Sequence, residues 1–326
     1  MLEILLKEWT EEVKHYIYLI ANFSIKKSQV GAVLDDVLNV SGKMIRTKIL
    51  LLSAFLGSNW ENNKEKICKL AAMLELTHLA SLIHDDIVDD SPYRRGKISI
   101  QGKYGKDAAV FAGDFLMARI FYYGAVENLN EAVSILSKTV EYMCIGEIEQ
   151  DLCRYQEDIS EEKYFEIIER KTAALFQAAC SIGARESVCS KELTQKLELF
   201  VKNLGLMFQI KDDILDFTSN SKDLGKETHK DFQNGIYTFP VIMALKNSKS
   251  KEVLAPIMKK NREENLSLEE IIQLEKYIIS FGGIEASYKK IETLSNTNRQ
   301  LIKELGENPE INIYLEKILK ELEEKR

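Results

Sequence analysis

The chain has 326 residues, 45% hydrophobic and 29% charged, enough for one large domain or two small ones with an ample core. A formal net charge of −7 excludes broad binding to nucleic acid or anionic membrane, both of which require a basic surface. Four prolines, and long segments rich in Leu, Ile, Lys, Glu and Ala at spacings near 3.6, favour helices over strands. The expected fold class is all-α, one helical domain over residues 1–326.

The first segment, "MLEILLKEWTEEVKHY", reads as an amphipathic helix carrying acids and not as a signal peptide. "ILLLSAFLG" is too short to cross a bilayer, no uninterrupted apolar run reaches spanning length, and a cytoplasmic location is expected. Weak joints fall at "SNWENNKEK" near residue 60, at the polar loop "TSNSKDLGKETHKDFQNG", and at "KNSKSKE" near residue 250. The last eighty or so residues, around "SFGGIEASY", read as charged amphipathic helices packed on the outside of the bundle. Cys68, Cys144, Cys153, Cys180 and Cys189 are odd in number and contain no C-x-x-C pair, which points to reduced thiols and away from zinc or a disulfide frame.

An apolar approach ends at "SLIHDDIVDD", and Ser91-Pro92 then stops the helix. Asp85 and Asp89 share a face one turn apart, where like charges repel, at a helix C-terminus that favours a cation. The same D-D-x-x-D spacing returns in "GLMFQIKDDILDF", with Asp212 and Asp216 on one face and Gln209 about 60° round from Asp212. One acidic cluster is commonly a solvated helix end, but two with one internal spacing are difficult to explain as surface decoration. Oxygen-only ligands, few per ion, suit Mg²⁺ that shares substrate phosphates; no EF-hand spacing is present, and His84 reads as a packed histidine. Lys43 and Arg46 in "SGKMIRTK", Arg94 and Arg95 in "SPYRRGK", Lys171 in "ERKTAALF" and Lys226 in "DLGKE" are the kinds of base that hold phosphate oxygens. Together with the acids they imply a diphosphate.

With these residues in view, the sequence resembles the trans-isoprenyl diphosphate synthases, or polyprenyl synthetases, from about residue 40 to residue 285. "HDDIVDDSPYRRG" and "FQIKDDILDF" resemble the two aspartate-rich motifs, and "AGDFL", "GEIEQ", "KTAALF", "DFQNGIYTFP" and "FGGIEAS" resemble further segments in the family's order. The resemblance implies an all-helical bundle of the isoprenoid synthase type with a central cavity, joining isopentenyl diphosphate head to tail to an allylic diphosphate. By resemblance, Asp85, Asp89, Asp212 and Asp216 hold about three Mg²⁺ ions on the allylic diphosphate. Arg94, Lys171 and Lys226 bind that diphosphate with Gln209 nearby, while Lys43, Arg46, His78 and Arg95 hold isopentenyl diphosphate. The Lys171 carbonyl and Thr172 hydroxyl are the dipoles the resemblance supplies for the carbocation. A homodimer is expected, with a heteromer containing an accessory subunit as the alternative.

Three departures stand out. "SGKMIRT" replaces G-G-K-R-x-R-P, changing Ser41, Met44 and Thr47 but keeping Lys43 and Arg46; Ile236 stands where many members carry lysine; and "EEKR" only weakly resembles the basic tail of short-chain members. A terpene cyclase of the same fold would not need Lys43, Arg46 and Arg95, and a silent partner subunit would be expected to lose carboxylates. Product length is expected to be long, roughly C30 to C40, because Ala80 and Ser81 are small. Ser81, Thr77, Met73 and Ala80 form one flank below Asp85, and a helical turn of about 5.4 Å matches about one isoprene unit. Met73 is the expected floor, and a bulky residue at Ala80 is expected to shorten the product.

Overall fold

The computed structural model describes residues 1–21, 29–38, 42–94, 96–218, 230–306 and 308–324. The chain divides into two compact units. The first comprises Met1–Glu141, Leu175–Val201 and Leu305–Asn312, and the second Tyr142–Ala174, Lys202–Glu304 and Ile313–Arg326.

In chain order the helices are α1 (Leu2–Ala21), α2 (Gln29–Leu38), α3 (Ile45–Phe55), α4 (Lys64–Val88), α5 (Ile100–Tyr104), α6 (Lys106–Val126), α7 (Asn130–Leu152) and α8 (Glu161–Ile168). A π-helical turn, Glu169–Ala173, leads into α9 (Ala174–Glu186), followed by α10 (Lys191–Thr218), α11 (Lys230–Gln233), α12 (Phe239–Leu245), α13 (Ser248–Glu263), α14 (Leu268–Ser280), α15 (Gly283–Glu304) and α16 (Pro309–Glu323). Among the described residues the only strands are β1 (Tyr93–Arg94) and β2 (Lys97–Ile98), an antiparallel pair with Tyr93 opposite Ile98. The all-α expectation holds.

The first unit is built on α4. From Ile67 to Ala80 nearly every side chain of α4 is buried, the signature of a helix enclosed on all sides, and α1, α3 and α6 pack around it. α1 contributes Leu6, Trp9, Val13 and Ile17, an i, i+3, i+7, i+11 stripe that confirms its amphipathic reading. Trp9 meets Phe55 edge-on at 4.9 Å and lies near Trp60 at 5.7 Å. α9 approaches α3 closely, because a Cβ on Gly183 would lie 2.2 Å from the Leu50 carbonyl oxygen.

No uninterrupted apolar run in the described helices reaches spanning length, although α4 and α6 each contain a stretch that is long and apolar enough on average to cross a membrane. For α4 the apolar surface is core, with 67% of its most apolar stretch buried, whereas the figure for α6 is 33%. The C-terminal helices are amphipathic, with exposed outer faces and buried inner ones. Leu254 and Met258 of α13 and Leu274 and Ile278 of α14 share the core of the second unit with Phe217, Phe232, Tyr237 and Val241. Ser267 and Glu270 form a reciprocal capping box that starts α14. In "SFGGIEASY", Gly282 takes a left-handed φ of 80°, and a Cβ on Gly283 would lie 2.2 Å from the Pro240 carbonyl oxygen.

Candidate active site

The two aspartate-rich motifs repeat one division of labour. In the first, α4 ends at Val88 with Asp89 as its C-cap, and Asp90 turns left-handed at φ 45° before Ser91-Pro92. Asp85 is half-buried and Asp89 exposed, while Asp86 between them is buried. Arg94 Nε donates to Asp86 Oδ1 at 2.7 Å, with the two side chains only 12% and 7% exposed, and the Gln101 amide donates to the Asp86 carbonyl. The terminal nitrogens of Arg94 and the carboxylate of Asp89 have no hydrogen-bonding or ion-pair partner among the described residues.

In the second motif, on α10, Asp212 is exposed and Asp216 half-buried, while Asp213 is 2% exposed. Asp213 Oδ2 accepts from the Tyr164 hydroxyl at 2.6 Å and the Phe239 amide at 3.4 Å, and its Oδ1 accepts from Gln209 Nε2 at 2.9 Å. Gln209 Oε1 accepts from the Thr172 hydroxyl at 2.7 Å. Burial pushes the Asp213 carboxyl up to about 7 against the lowering effect of the Tyr164 and Gln209 bonds. Burial, and then the Asp213 charge, hold the Tyr164 phenol far above its ordinary range.

Lys171 and Thr172 sit in the π turn, where Ala174 N–H reaches back five residues to the Glu169 carbonyl. Such a turn takes one residue more than an α turn, so one backbone carbonyl loses its usual partner. Gly146 of "GEIEQ" permits the close approach of α7 here, since its Cβ would lie 2.7 Å from Lys171 N. Glu147 Oε2 accepts from Lys171 Nζ at 3.0 Å. Next in the motif, Glu149 pairs with Arg170 and, at 3.3 Å, with Lys163.

The other expected residues cluster in the first unit. Arg46 Nη1 lies 3.1 Å from His78 Nε2, and its guanidinium stands 4.6 Å over the Phe176 ring. Lys43 is exposed in the short approach to α3, where Met44 takes a left-handed φ of 50°. Thr47, the departure from the family's proline, is buried and donates to buried Glu75 Oε2 at 2.7 Å, so the loop is fastened by a hydroxyl. His84, read as packed, lies 3.3 Å from Asp114, and its ring fills the space where a Gly113 Cβ would stand. This accounts for the glycine and the aspartate of "AGDFL".

Of the chain-length residues, Ser81 is half-buried and its hydroxyl donates to the His78 carbonyl at 2.9 Å. Ala80 and Met73 are fully enclosed and Thr77 nearly so, with Thr77 back-bonded to the Met73 carbonyl at 2.9 Å and Met73 Cε beside Gly124. Arg95, Lys226 and Ser41 lie outside the described residues.

Sequence reasoning missed Asp86, Asp213, Tyr164 and Glu147. The signal for the first two was present, because the second aspartate of each D-D pair lies about 100° off the face its neighbours share. Nothing local marks Tyr164 or Glu147, whose partners lie 49 and 24 residues away.

The family model described as polyprenyl synthetase matches residues 27–274. The chain is 36% identical over 263 residues to heptaprenyl diphosphate synthase component 2 of Bacillus subtilis (strain 168), covering 79% of this chain and 75% of the relative. It is 37% identical over 280 residues to a prenyl transferase of Cyanidium caldarium, covering 83% and 85%. A solved polyprenyl synthase from Caulobacter crescentus CB15, complexed with calcium and isoprenyl diphosphate, superposes with a TM-score of 0.89 at 27% identity, covering 99% of this chain and 96% of that one.

Proposed function

Because the chain belongs to the polyprenyl synthetase family, we propose that it is a trans-prenyltransferase that joins isopentenyl diphosphate head to tail to an allylic diphosphate and repeats the step. The observation that carries this reading is the shared build of the two D-D-x-x-D motifs. In each, the middle carboxylate is consumed by the fold, and the outer two, Asp85 and Asp89 or Asp212 and Asp216, lie on the more accessible side. A donor set of carboxylates only fits a hard divalent cation, and the calcium of the Caulobacter relative supports the same class. Mg²⁺, about three ions, is the proposed metal, and when bound it supplies fixed positive charge to a departing diphosphate.

The remaining roles belong to the chain's own bases and dipoles. Arg94, anchored through Nε, keeps its terminal nitrogens for the allylic diphosphate, joined by Lys171 and Lys226. Lys43, Arg46, His78 and Arg95 bind isopentenyl diphosphate, with His78 and the Phe176 ring holding the Arg46 guanidinium in one orientation. The Lys171 carbonyl and the Thr172 oxygen face the developing cation, and Gln209 orients the latter.

The product is a long polyprenyl diphosphate, roughly C30 to C40, a reading supported by the heptaprenyl product in the name of the Bacillus relative and by the small residues above Met73, at about one isoprene unit per helical turn. The chain works as a homodimer through α6, where exposed Phe111, Tyr122 and Val126 fall within about 60° of arc. The word "component" in the Bacillus relative's name supports an accessory subunit as the other occupant. The family match runs through both units, which supports treating residues 1–326 as one domain.

The test is incubation of purified protein with Mg²⁺, isopentenyl diphosphate and allylic primers of several lengths, with product analysis by chromatography. Chain elongation that stops in chelator is expected. Ionisation of the allylic substrate without incorporation of isopentenyl units would instead indicate a cyclase.

A further inference from the structure

Four groups of the second unit, Tyr164, Asp213, Gln209 and Thr172, form a hydrogen-bonded relay. Gln209 Nε2 donates to Asp213 Oδ1 at 2.9 Å and Gln209 Oε1 accepts from Thr172 at 2.7 Å, the pairing that the ionised form of Asp213, an acceptor only, requires. An acceptor opposite Thr172 obliges its hydroxyl to donate, which leaves the lone pairs of the Thr172 oxygen directed away from Gln209. Turning the Gln209 amide over would reverse this. An N–H would then point at the Thr172 oxygen and occupy a lone pair, and the dipole offered to a cation would be weakened.

Asp213 is what prevents the reversal, and Tyr164 is what holds Asp213. The Tyr164 hydroxyl lies 2.6 Å from Asp213 Oδ2, the shortest of its three contacts, and the ring is buried 5.2 Å from both Phe165 and Phe239. Phe239 also brings its backbone N–H to the same oxygen, so the carboxylate is fixed from α8 and from the start of α12 at once.

We propose that Tyr164 and Asp213 are positioning residues of the condensation, setting the orientation of the Gln209 amide and through it the polarity of the Thr172 hydroxyl toward the reacting allylic carbon. This rests on the prenyltransferase reading above. Neither residue touches substrate, so their removal should lower turnover and leave both Michaelis constants alone.

The test is a double-mutant cycle on the full chain, assayed with Mg²⁺, isopentenyl diphosphate and farnesyl diphosphate. Tyr164→Phe keeps the packed ring and removes the hydroxyl. Its kcat should fall about tenfold, with the KM of each substrate within about twofold of the parent. Thr172→Val should fall further, and the double variant should be no worse than Thr172→Val by more than about threefold, because the relay acts only through that hydroxyl. A merely structural Tyr164 would give losses that multiply, or a raised KM at unchanged kcat, and either result overturns the relay. If Tyr164→Phe does not fold, Asp213→Asn takes its place, since an amide can face Gln209 either way, and the same non-multiplying pattern is expected. Product from the parent with multiplying losses sinks the relay alone; no product from the parent sinks the prenyltransferase reading and the relay with it.

Discussion

Six aspartates in two motifs have two different occupations. Asp85 and Asp216 are half-buried and Asp89 and Asp212 exposed, whereas Asp86 and Asp213 are buried and held by Arg94 and by Tyr164 with Gln209. Asp85→Ala or Asp212→Ala should therefore lower kcat by several orders of magnitude at unchanged melting temperature, since removing one of two like charges at a helix end costs no stability. Arg94→Ala should behave differently. It removes one charge partner of the nearly buried Asp86, and breaking such a pair costs up to about 3–5 kcal/mol, so a lowered melting temperature is expected alongside any loss of affinity for the allylic substrate. Calorimetry of the three variants separates the two classes, and an unchanged melting temperature for Arg94→Ala would contradict the pairing.

At the scale of elements, α4 joins two tasks in one rod: its middle is core and its last turn bears the first motif. Ala80 lies where the two tasks meet and is packed on all sides, so Ala80→Phe should overpack and destabilise by about 1–3 kcal/mol. Half-buried Ser81 has room that Ala80 lacks, and Ser81→Phe should remain folded and stop elongation early. Product analysis of both, with melts, decides; early stopping by a stable Ala80→Phe would return the flank to Ala80. The helical nature of the chain, the stop after "IVDD" and the paired faces of the motifs were legible because they depend on spacing within one or two turns. The partners of Arg94, Lys171 and Thr47 were not legible, since each lies on another element or across a turn, and a sequence records no distance between elements. What lies against the inner faces of α13 and α14 was not legible for a related reason: an amphipathic helix announces that it has an inner face and not what packs on it.

For the whole molecule, the two quantities to follow are association and acid stability. Phe111 is 71% exposed on the apolar face of α6, and Phe111→Glu should shift the protein toward monomer in analytical ultracentrifugation with little change in melting of the monomer itself. An unchanged sedimentation coefficient would assign the face to something other than a second copy. In the second unit, Glu161 is held below the ordinary carboxylate range by Lys246 at 2.6 Å and, after an opposing effect of burial, by Lys290 at 3.2 Å. A depressed carboxyl contributes stability that is complete above its unfolded value of about 4.3 and is lost as pH falls through the lower folded value. Melting temperature should therefore drop below about pH 4, and Glu161→Gln should flatten that drop.

The twin build of the motifs also bears on how a damaged copy of such a gene would be recognised. A motif written D-D-x-x-D invites the inference that all three letters serve one purpose and decay together. Here the middle letter is bonded into the fold, so it would be expected to outlast the outer two in a descendant that has abandoned chemistry but still assembles with a partner. In a lineage drifting toward a scaffold, the outer aspartates would vanish first and Asp86 with Arg94, or Asp213 with Tyr164, would persist as paired fossils.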